Sequence, residues 1–251
     1  MRARFEHVLL APRYGAIVGV DTNEPVVALT FDDGPHPDVT PRLIDLFARF
    51  DAKATHFVVG AAVRANPGLV AALREAGHVV ANHTYDHPSL VRLSRSERRA
   101  ELRACQDALG EDGAPWMRPP YGHYDLACAR DVRALALRCV SWSAHVEDWR
   151  PASADTLAER LRRAIRPGAI VLLHEALYTT ADSAADDRGA LLEALERVLA
   201  ENVGRVRFVT VPELLEHGSA RLRVIRSRGD DAFVEAQRPG MQDRPVSPGD
   251  S

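Results

Sequence analysis

From residue 25 onward the chain alternates short β-branched, apolar runs with longer segments whose apolar residues recur every three or four positions. No other feature constrains the fold as much. Strands that arrive singly, each followed by an amphipathic helix, pair in parallel through crossover connections and do not segregate into separate α and β layers. The runs predict strands over 25–31, 54–59, 78–82, 115–118, 138–143, 169–174 and 205–211. Between them, Leu43, Leu46, Phe47 and Phe50 share one helical face, and Asn66-Pro67 opens a second helix that Gly77 closes. Ser94 and Glu97 have the spacing of a capping box. Leu157, Leu161 and Ile165 stripe a later helix stopped by Pro167-Gly168, and Leu191, Leu192, Leu195, Val198 and Leu199 stripe the next. Seven strands with crossover helices predict an α/β barrel.

Composition sets the outer limits. At 251 residues and 46% hydrophobic content the chain can bury the core of one large domain, expected over 25–218 behind an N-terminal segment 1–24. After a short helix over 212–217 the periodicity fades into Gly, Pro, Arg and Asp. Residues 219–251 are therefore expected to form a flexible C-terminal tail, with Val224-Ile225 not counted as a strand. A net charge of −3 gives no global attraction to nucleic acid or anionic lipid, although all but one of the 32 basic residues are arginine. The arginines between Arg92 and Arg103 alternate with Glu97 and Glu101 as on a solvated helix face. Cys105, Cys128 and Cys139 are isolated within apolar periodic segments, which suits small core residues and neither a disulfide framework nor a zinc knuckle. Polar residues break the first fifteen positions, and no apolar run reaches membrane-spanning length, so the expected location is cytoplasmic.

The chemistry sits where predicted strands end. Val26 to Phe31 stops at Asp32-Asp33-Gly34-Pro35, and two neighbouring carboxylates repel unless a cation or a shared proton relieves them. After the third strand come His83 and His87, a spacing that places both imidazoles on one side of a helical turn, within reach of one divalent cation. Parallel barrels keep their sites at this end of the strands. One carboxylate and two imidazoles leave coordination positions open, as in catalytic metal sites. The fourth strand is followed by Arg118-Pro119-Pro120-Tyr121-Gly122, a stiff loop able to fix a guanidinium and a main-chain N–H. The fifth is followed by Asp148-Trp149, an acid beside a ring of the kind that stacks on sugars, and the sixth ends in His174, suited to proton transfer.

In this order, Thr30-Phe31-Asp32-Asp33-Gly34-Pro35, His83-Thr84-Tyr85-Asp86-His87, Arg118-Pro119-Pro120-Tyr121-Gly122, Asp148-Trp149 and Leu172-Leu173-His174 resemble the motifs of the polysaccharide deacetylase family. This is the NodB-homology domain of carbohydrate esterase family 4, and the resemblance runs from about Val26 to Leu215. It implies a distorted (β/α) barrel, usually of seven parallel strands. It also implies a metal-dependent hydrolase that removes N-acetyl groups from N-acetylglucosamine-type sugars such as chito-oligosaccharides, releasing acetate and a free amine. Asp33, His83 and His87 would hold a divalent metal. Zn suits three ligands with open positions, and Co, Ni or Mn could occupy the same set.

By the same resemblance, Asp32 would be the general base toward the attacking water, and the Tyr121 N–H would help to hold the oxyanion. His174 would protonate the departing amine, Arg118 would orient Asp32, and Asp148 would orient His174. Trp149 and Leu172 would enclose the acetyl methyl, with Pro119 on the substrate side. The expected partner is an N-acetylated carbohydrate or small molecule, with no nucleic acid and no membrane segment. Alternatives are a deacetylase of a small N-acetylated biosynthetic intermediate, an O-acetyl esterase, or a catalytically inactive carbohydrate-binding module. The last predicts loss of Asp32, Asp33 or His174, and all three are present. Two residues depart from the family pattern. His56 stands where phenylalanine is frequent and His145 where aspartate is common, and both are expected to be neutral surface replacements. His36 is expected in a solvated loop, and His78, His123 and His217 have no partner identifiable from sequence.

Overall fold

A computed structural model describes residues 10–111, 113–178 and 187–227. Its strands are β1 (Ala16–Asp21), β2 (Val26–Asp32), β3 (Ala54–Val58), β4 (Val79–Asn82), β5 (Trp116–Met117), β6 (Arg138–Cys139), β7 (Ala144–His145), β8 (Ile170–His174), β9 (Arg207–Phe208) and β10 (Ser219–Arg223). The helices are α1 (Thr40–Arg49), α2 (Gly60–Ala65), α3 (Pro67–Glu75), α4 (Arg95–Leu109), α5 (Leu126–Ala134), α6 (Ala154–Ala164), α7 (Gly189–Asn202) and α8 (Val211–Leu214). Each predicted window contains a strand, and the predicted Ser94–Glu97 capping box starts α4. The two-residue β7 was not foreseen, being too short to show a period.

Seven strands run in the order β6-β5-β4-β3-β2-β8-β7, all paired in parallel, with β9 pairing alongside Val26 and Val27 of β2. The path curls as a distorted barrel whose end strands, β6 and β7, do not pair with each other. The antiparallel β1–β10 ribbon lies across the opening, with Ile17 bridging to Val140 and Gly19 to Ala169.

Alternation along β2 explains the layers. Val27, Leu29 and Phe31 pack outward against Leu43, Leu46 and Phe47 of α1, Leu157 and Leu161 of α6, and Leu191 and Leu195 of α7. Val26 and Ala28 face inward, onto Phe57, Ala81, Trp116, Ile170, the β1 residues Ile17 and Val20, and Val211 and Leu214 of α8. Every β2 residue is buried, as expected for a parallel strand covered on both faces. Cys105, Cys128 and Cys139 are buried and free, and burial pushes each thiol up to about 12. Among the described residues no helix is long and apolar enough to cross a membrane.

Both domain boundaries need correction. The segment assigned to 1–24 contributes β1, whose Ala16, Ile17 and Val20 are core residues. The tail expected to begin at 219 instead opens with β10, and Ser227 exchanges two backbone hydrogen bonds with Tyr124, at 2.8 and 3.0 Å. Its composition is too polar to fold alone, but β1 offers a row of backbone donors and acceptors that β10 satisfies. Residues 228–251 lie outside those described. Ending the chain after Gly218 should strip Ala220 and Leu222 from the inner cluster they pack against. A loss of about 2 kcal/mol would lower the melting temperature by about 4–8 °C, measurable by calorimetry.

Candidate active site

β2 carries Asp32 and Asp33 to the mouth of the barrel, and the backbone then separates them. Asp32 is still in the strand, on the inward face with Ala28 and Thr30. Asp33 turns into the left-handed region, at φ 71°, which residues with a side chain enter only when surrounding contacts hold them there. The His83–His87 segment is not the helical turn expected from its spacing. It is an irregular loop in which Thr84 and His87 also have positive φ, 68° and 57°. Its backbone is fixed from several sides. Gly60 N donates to Thr84 O at 2.9 Å, Ala61 N to Tyr85 O at 3.0 Å, and Thr84 N to Asn82 Oδ1 at 2.9 Å. The Glu101 carboxylate accepts from Tyr85 N and Asp86 N, each at 3.0 Å.

These constraints bring His83 Nε2 to 3.3 Å and His87 Nε2 to 3.1 Å from Asp33 Oδ1, all three residues being buried. The donor set fits a divalent cation. Asp33 Oδ1 is buried without a hydrogen-bond partner, the situation that a bound cation relieves. His83 Nδ1 lies 2.8 Å from the Arg118 carbonyl oxygen, which can only accept, so the proton is on Nδ1 and Nε2 presents its lone pair. Burial lowers the His87 imidazole pKa against the opposing pull of Asp33, favouring the neutral form that ligates. Burial raises the Asp33 carboxyl, but His87 and His83 outweigh it and hold that carboxyl well below the usual range.

Two acids beside this triad each have an arginine. The Arg118 side chain is fully buried and Nη1 donates to Asp32 Oδ1 at 2.7 Å, while Nη2 donates to Ser141 O at 3.1 Å. Its guanidinium lies 4.2 Å from the centre of the Phe57 ring. On the adjacent strand β8, His174 is the register partner of Asp32. Asp148 grips His174 twice, accepting from its backbone N at 2.7 Å and from Nδ1 at 3.0 Å. Arg188 completes the second group, with Nη1 donating to Asp148 O at 3.0 Å and lying 3.7 Å from Oδ2. Burial alone would lower the His174 pKa. The Asp148 charge and hydrogen bond, helped by Asp33 and Asp32, instead raise it to about 9.

The remaining expected site residues surround the same opening. Tyr121, at φ 59°, lays its ring 4.7 Å from that of His87. A Cβ on the neighbouring Gly122 would come within 2.7 Å of Trp142. Trp149 is half-buried, its ring 5.5 Å from His174, and Leu172 lies two residues below His174 on the same strand face. Pro119 is buried beside Arg118. His145 is exposed, as expected, but stands at the mouth with its ring 5.3 Å from Trp149.

His56 is a correction: it is 1% exposed and its Nδ1 lies 2.9 Å from Glu175 Oε2, so it is no surface replacement. Position 56 falls in a strand covered on both faces, which burial decides and local composition does not. His36 is half-buried. His78 is buried, accepting from Ala54 N at 3.1 Å, and burial drives its pKa to about 3. His123 meets Ser89 Oγ at 2.9 Å and His217 meets Glu24 at 3.1 Å. Two contributors were missed from sequence. Arg188 is one arginine among many, and Tyr178, whose N donates to Asp33 Oδ2 at 3.2 Å, follows the last recognisable motif. Only the aromatic ring shortly after His174 hinted at Tyr178.

The family profile described as Polysaccharide deacetylase matches residues 19–140. The chain is similar to the chitooligosaccharide deacetylase of Azorhizobium caulinodans, with 30% identity over 82% of this chain and 96% of that protein. It is 39% identical, over 62% of its length, to the peptidoglycan-N-acetylglucosamine deacetylase PgdA of Listeria monocytogenes. It spans only 34% of the length of that relative. Among solved structures, a peptidoglycan N-acetylglucosamine deacetylase crystallised with a hydroxybenzamide-type compound superposes with a TM-score of 0.74 at 27% identity, over 84% of this chain and 98% of that one.

His174 provides a test of this electrostatic arrangement. With its pKa raised from 6.5 to about 9, its pairing with Asp148 stabilises the metal-free fold fully below pH 6.5 and is lost as pH rises through 9. Asp148→Asn should bring the imidazole midpoint, followed by NMR, down toward or below 6.5. An unchanged midpoint would show that Asp148 is not the cause.

Proposed function

Because the chain belongs to the polysaccharide deacetylase family, we propose that it is a metal-dependent hydrolase removing N-acetyl groups from N-acetylglucosamine-type sugars. Acetate and a free amine are the products. One observation carries this reading: Asp32 and His174 are register partners on the adjacent strands β2 and β8, beside the Asp33-His83-His87 triad. A base and an acid next to a Lewis-acid site are what amide hydrolysis needs, since the water must lose a proton and the leaving nitrogen must gain one.

Asp33, His83 and His87 would hold the cation, which when bound would polarise the amide carbonyl and favour ionisation of the attacking water. Zn suits this donor set best, and Co, Ni or Mn can replace it. With Oδ1 engaged by Arg118, Asp32 presents Oδ2, 3.8 Å from His83 Nε2, to the water and takes its proton. The Tyr121 backbone N–H supplies a fixed donor for the negative charge that develops on the carbonyl oxygen. His174, anchored to Asp148 through Nδ1, has Nε2 free to protonate the departing nitrogen. Trp149 and Leu172 form the apolar wall for the acetyl methyl, and Pro119 stiffens the loop beneath.

The names of the relatives support the sugar class, since both chitooligosaccharide and peptidoglycan N-acetylglucosamine carry the same N-acetyl group. A net charge of −3 gives no global attraction to nucleic acid. Acetate release from chito-oligosaccharides by the metal-loaded protein tests the reading, with a small N-acetylated sugar and O-acetyl xylan run beside them to separate the alternative substrates. Binding of sugar with no acetate released from any N-acetylated substrate would make the protein a carbohydrate-binding module. Asp32→Asn should reduce turnover about 100- to 10,000-fold while retaining metal, whereas His83→Ala should lose metal. Equal metal loss in both variants would remove Asp32 from the role of base.

A further inference from the structure

Directly behind the two aspartates, on the outward face of the sheet, lies a second buried polar group that the reaction does not use. Glu175, the residue after His174, is 0% exposed and His56 is 1% exposed. Strand alternation puts Asp32 and His174 on the inward face and their neighbours Phe31 and Leu173 outward, and His56 is the β3 register partner of Phe31. The His56 ring stacks on Phe31 with centroids 5.3 Å apart and planes 18° from parallel. It fills an aromatic position and adds a hydrogen bond that phenylalanine could not make.

The Glu175 carboxylate collects three donors from two parts of the chain. Oε2 meets His56 Nδ1 at 2.9 Å, and Oε1 accepts from the Thr40 hydroxyl and from His36 N, the latter at 3.3 Å. A carboxylate only accepts, so His56 carries its proton on Nδ1. The Glu175 backbone N donates to Asp32 O at 2.9 Å. Gly34 closes against the carboxylate so tightly that a Cβ there would overlap Oε2. Glu175 thus holds the start of the Asp33–Thr40 turn through its backbone and the His36–Thr40 end through its side chain, and ties both to β3 and β8.

We propose that Glu175 and His56 are positioning residues for the metal site, holding the turn in which Asp33 leaves the strand while Asp32 stays in it. The proposal rests on the deacetylase reading. A non-glycine residue at φ 71° persists only when its surroundings over-determine it, and the Glu175 contacts restrain the turn after Asp33 together with the hydrogen bond from Val59 N to Gly34 O at 2.9 Å. Neither Glu175 nor His56 touches substrate or the reacting atoms. Their influence should therefore be seen in metal affinity and in kcat, with KM little changed.

The test compares wild type with Glu175→Gln, His56→Phe and His56→Asn. It measures Zn²⁺ affinity by calorimetry, the visible spectrum of the Co²⁺-loaded proteins, melting of the metal-free proteins, and kcat and KM for acetate release. Glu175→Gln replaces an acceptor with a donor facing donors. It should weaken Zn²⁺ binding and kcat each by about 10- to 100-fold and alter the Co²⁺ spectrum, at a temperature where the metal-free variant is folded. His56→Phe keeps the ring but leaves Oε2 of the buried carboxylate without its His56 donor, and should show the same losses. His56→Asn, whose amide can stand where Nδ1–H does, should recover most of them. Should Glu175→Gln fail to fold, the contrast between His56→Phe and His56→Asn carries the test. Wild-type Zn²⁺ affinity and kcat in folded Glu175→Gln or His56→Phe, whatever the melting temperature, would overturn the proposal and leave the deacetylase reading standing. Absence of metal binding and of acetate release in the wild type would overturn both.

Discussion

Two carboxylates on consecutive residues, both buried, are the constraint to which the barrel mouth is built. Side by side and desolvated they would repel each other, and neither could stay ionised without a separate counterweight. The fold provides one for each. Asp32 remains in β2 and meets the Arg118 guanidinium inside the barrel, whereas Asp33 turns out of the strand toward His83 and His87. The single positive φ at Asp33 makes the difference, since it sends two adjacent side chains into different surroundings.

The same economy recurs across the opening. His174 is tied to Asp148 through both its backbone and its ring, and Asp148 is tied in turn to Arg188. Each catalytic candidate therefore has one face committed to a buried partner and one face toward the triad. For a side chain on a mobile loop such precision would be lost to rotamer freedom. Here Asp32 and His174 themselves sit at strand ends whose register is enforced by the hydrogen-bond ladder and by the packing of β2 on both sides.

Backbone strain at the site is balanced by neighbours. Asp33, Thr84, His87 and Tyr121 all adopt positive φ. Around Thr84 and His87 the restraint comes from Gly60, Ala61, Asn82 and Glu101, and around Asp33 it comes from Glu175 and the groups that converge on it. Most of these restraining residues belong to other elements, so strain is concentrated around the Asp33-His83-His87 triad while its support is spread through the surrounding layers.

Much of this was legible in the amino-acid order. Alternating apolar runs and helical stripes specify the parallel sheet because burial on both faces demands continuous apolar strands and crossover helices. Strand ends bearing Asp32, Asp33, His83, His87, Arg118, Asp148 and His174 mark the site, because all parallel strands expose their C-terminal ends at one mouth. The sequence by itself thus determined the architecture and the residue types that converge. Only the tertiary structure decided how they converge. The His83–His87 spacing suggested a helical turn, but hydrogen bonds to Gly60 and Glu101 hold it as a loop. His56 looked like a surface change and is buried, because its partner Glu175 is 119 residues away in the chain. β10 looked like tail until β1 gave it a ladder. In each case the deciding interaction joins segments far apart in sequence, and local propensity carries no information about a partner that only folding brings near.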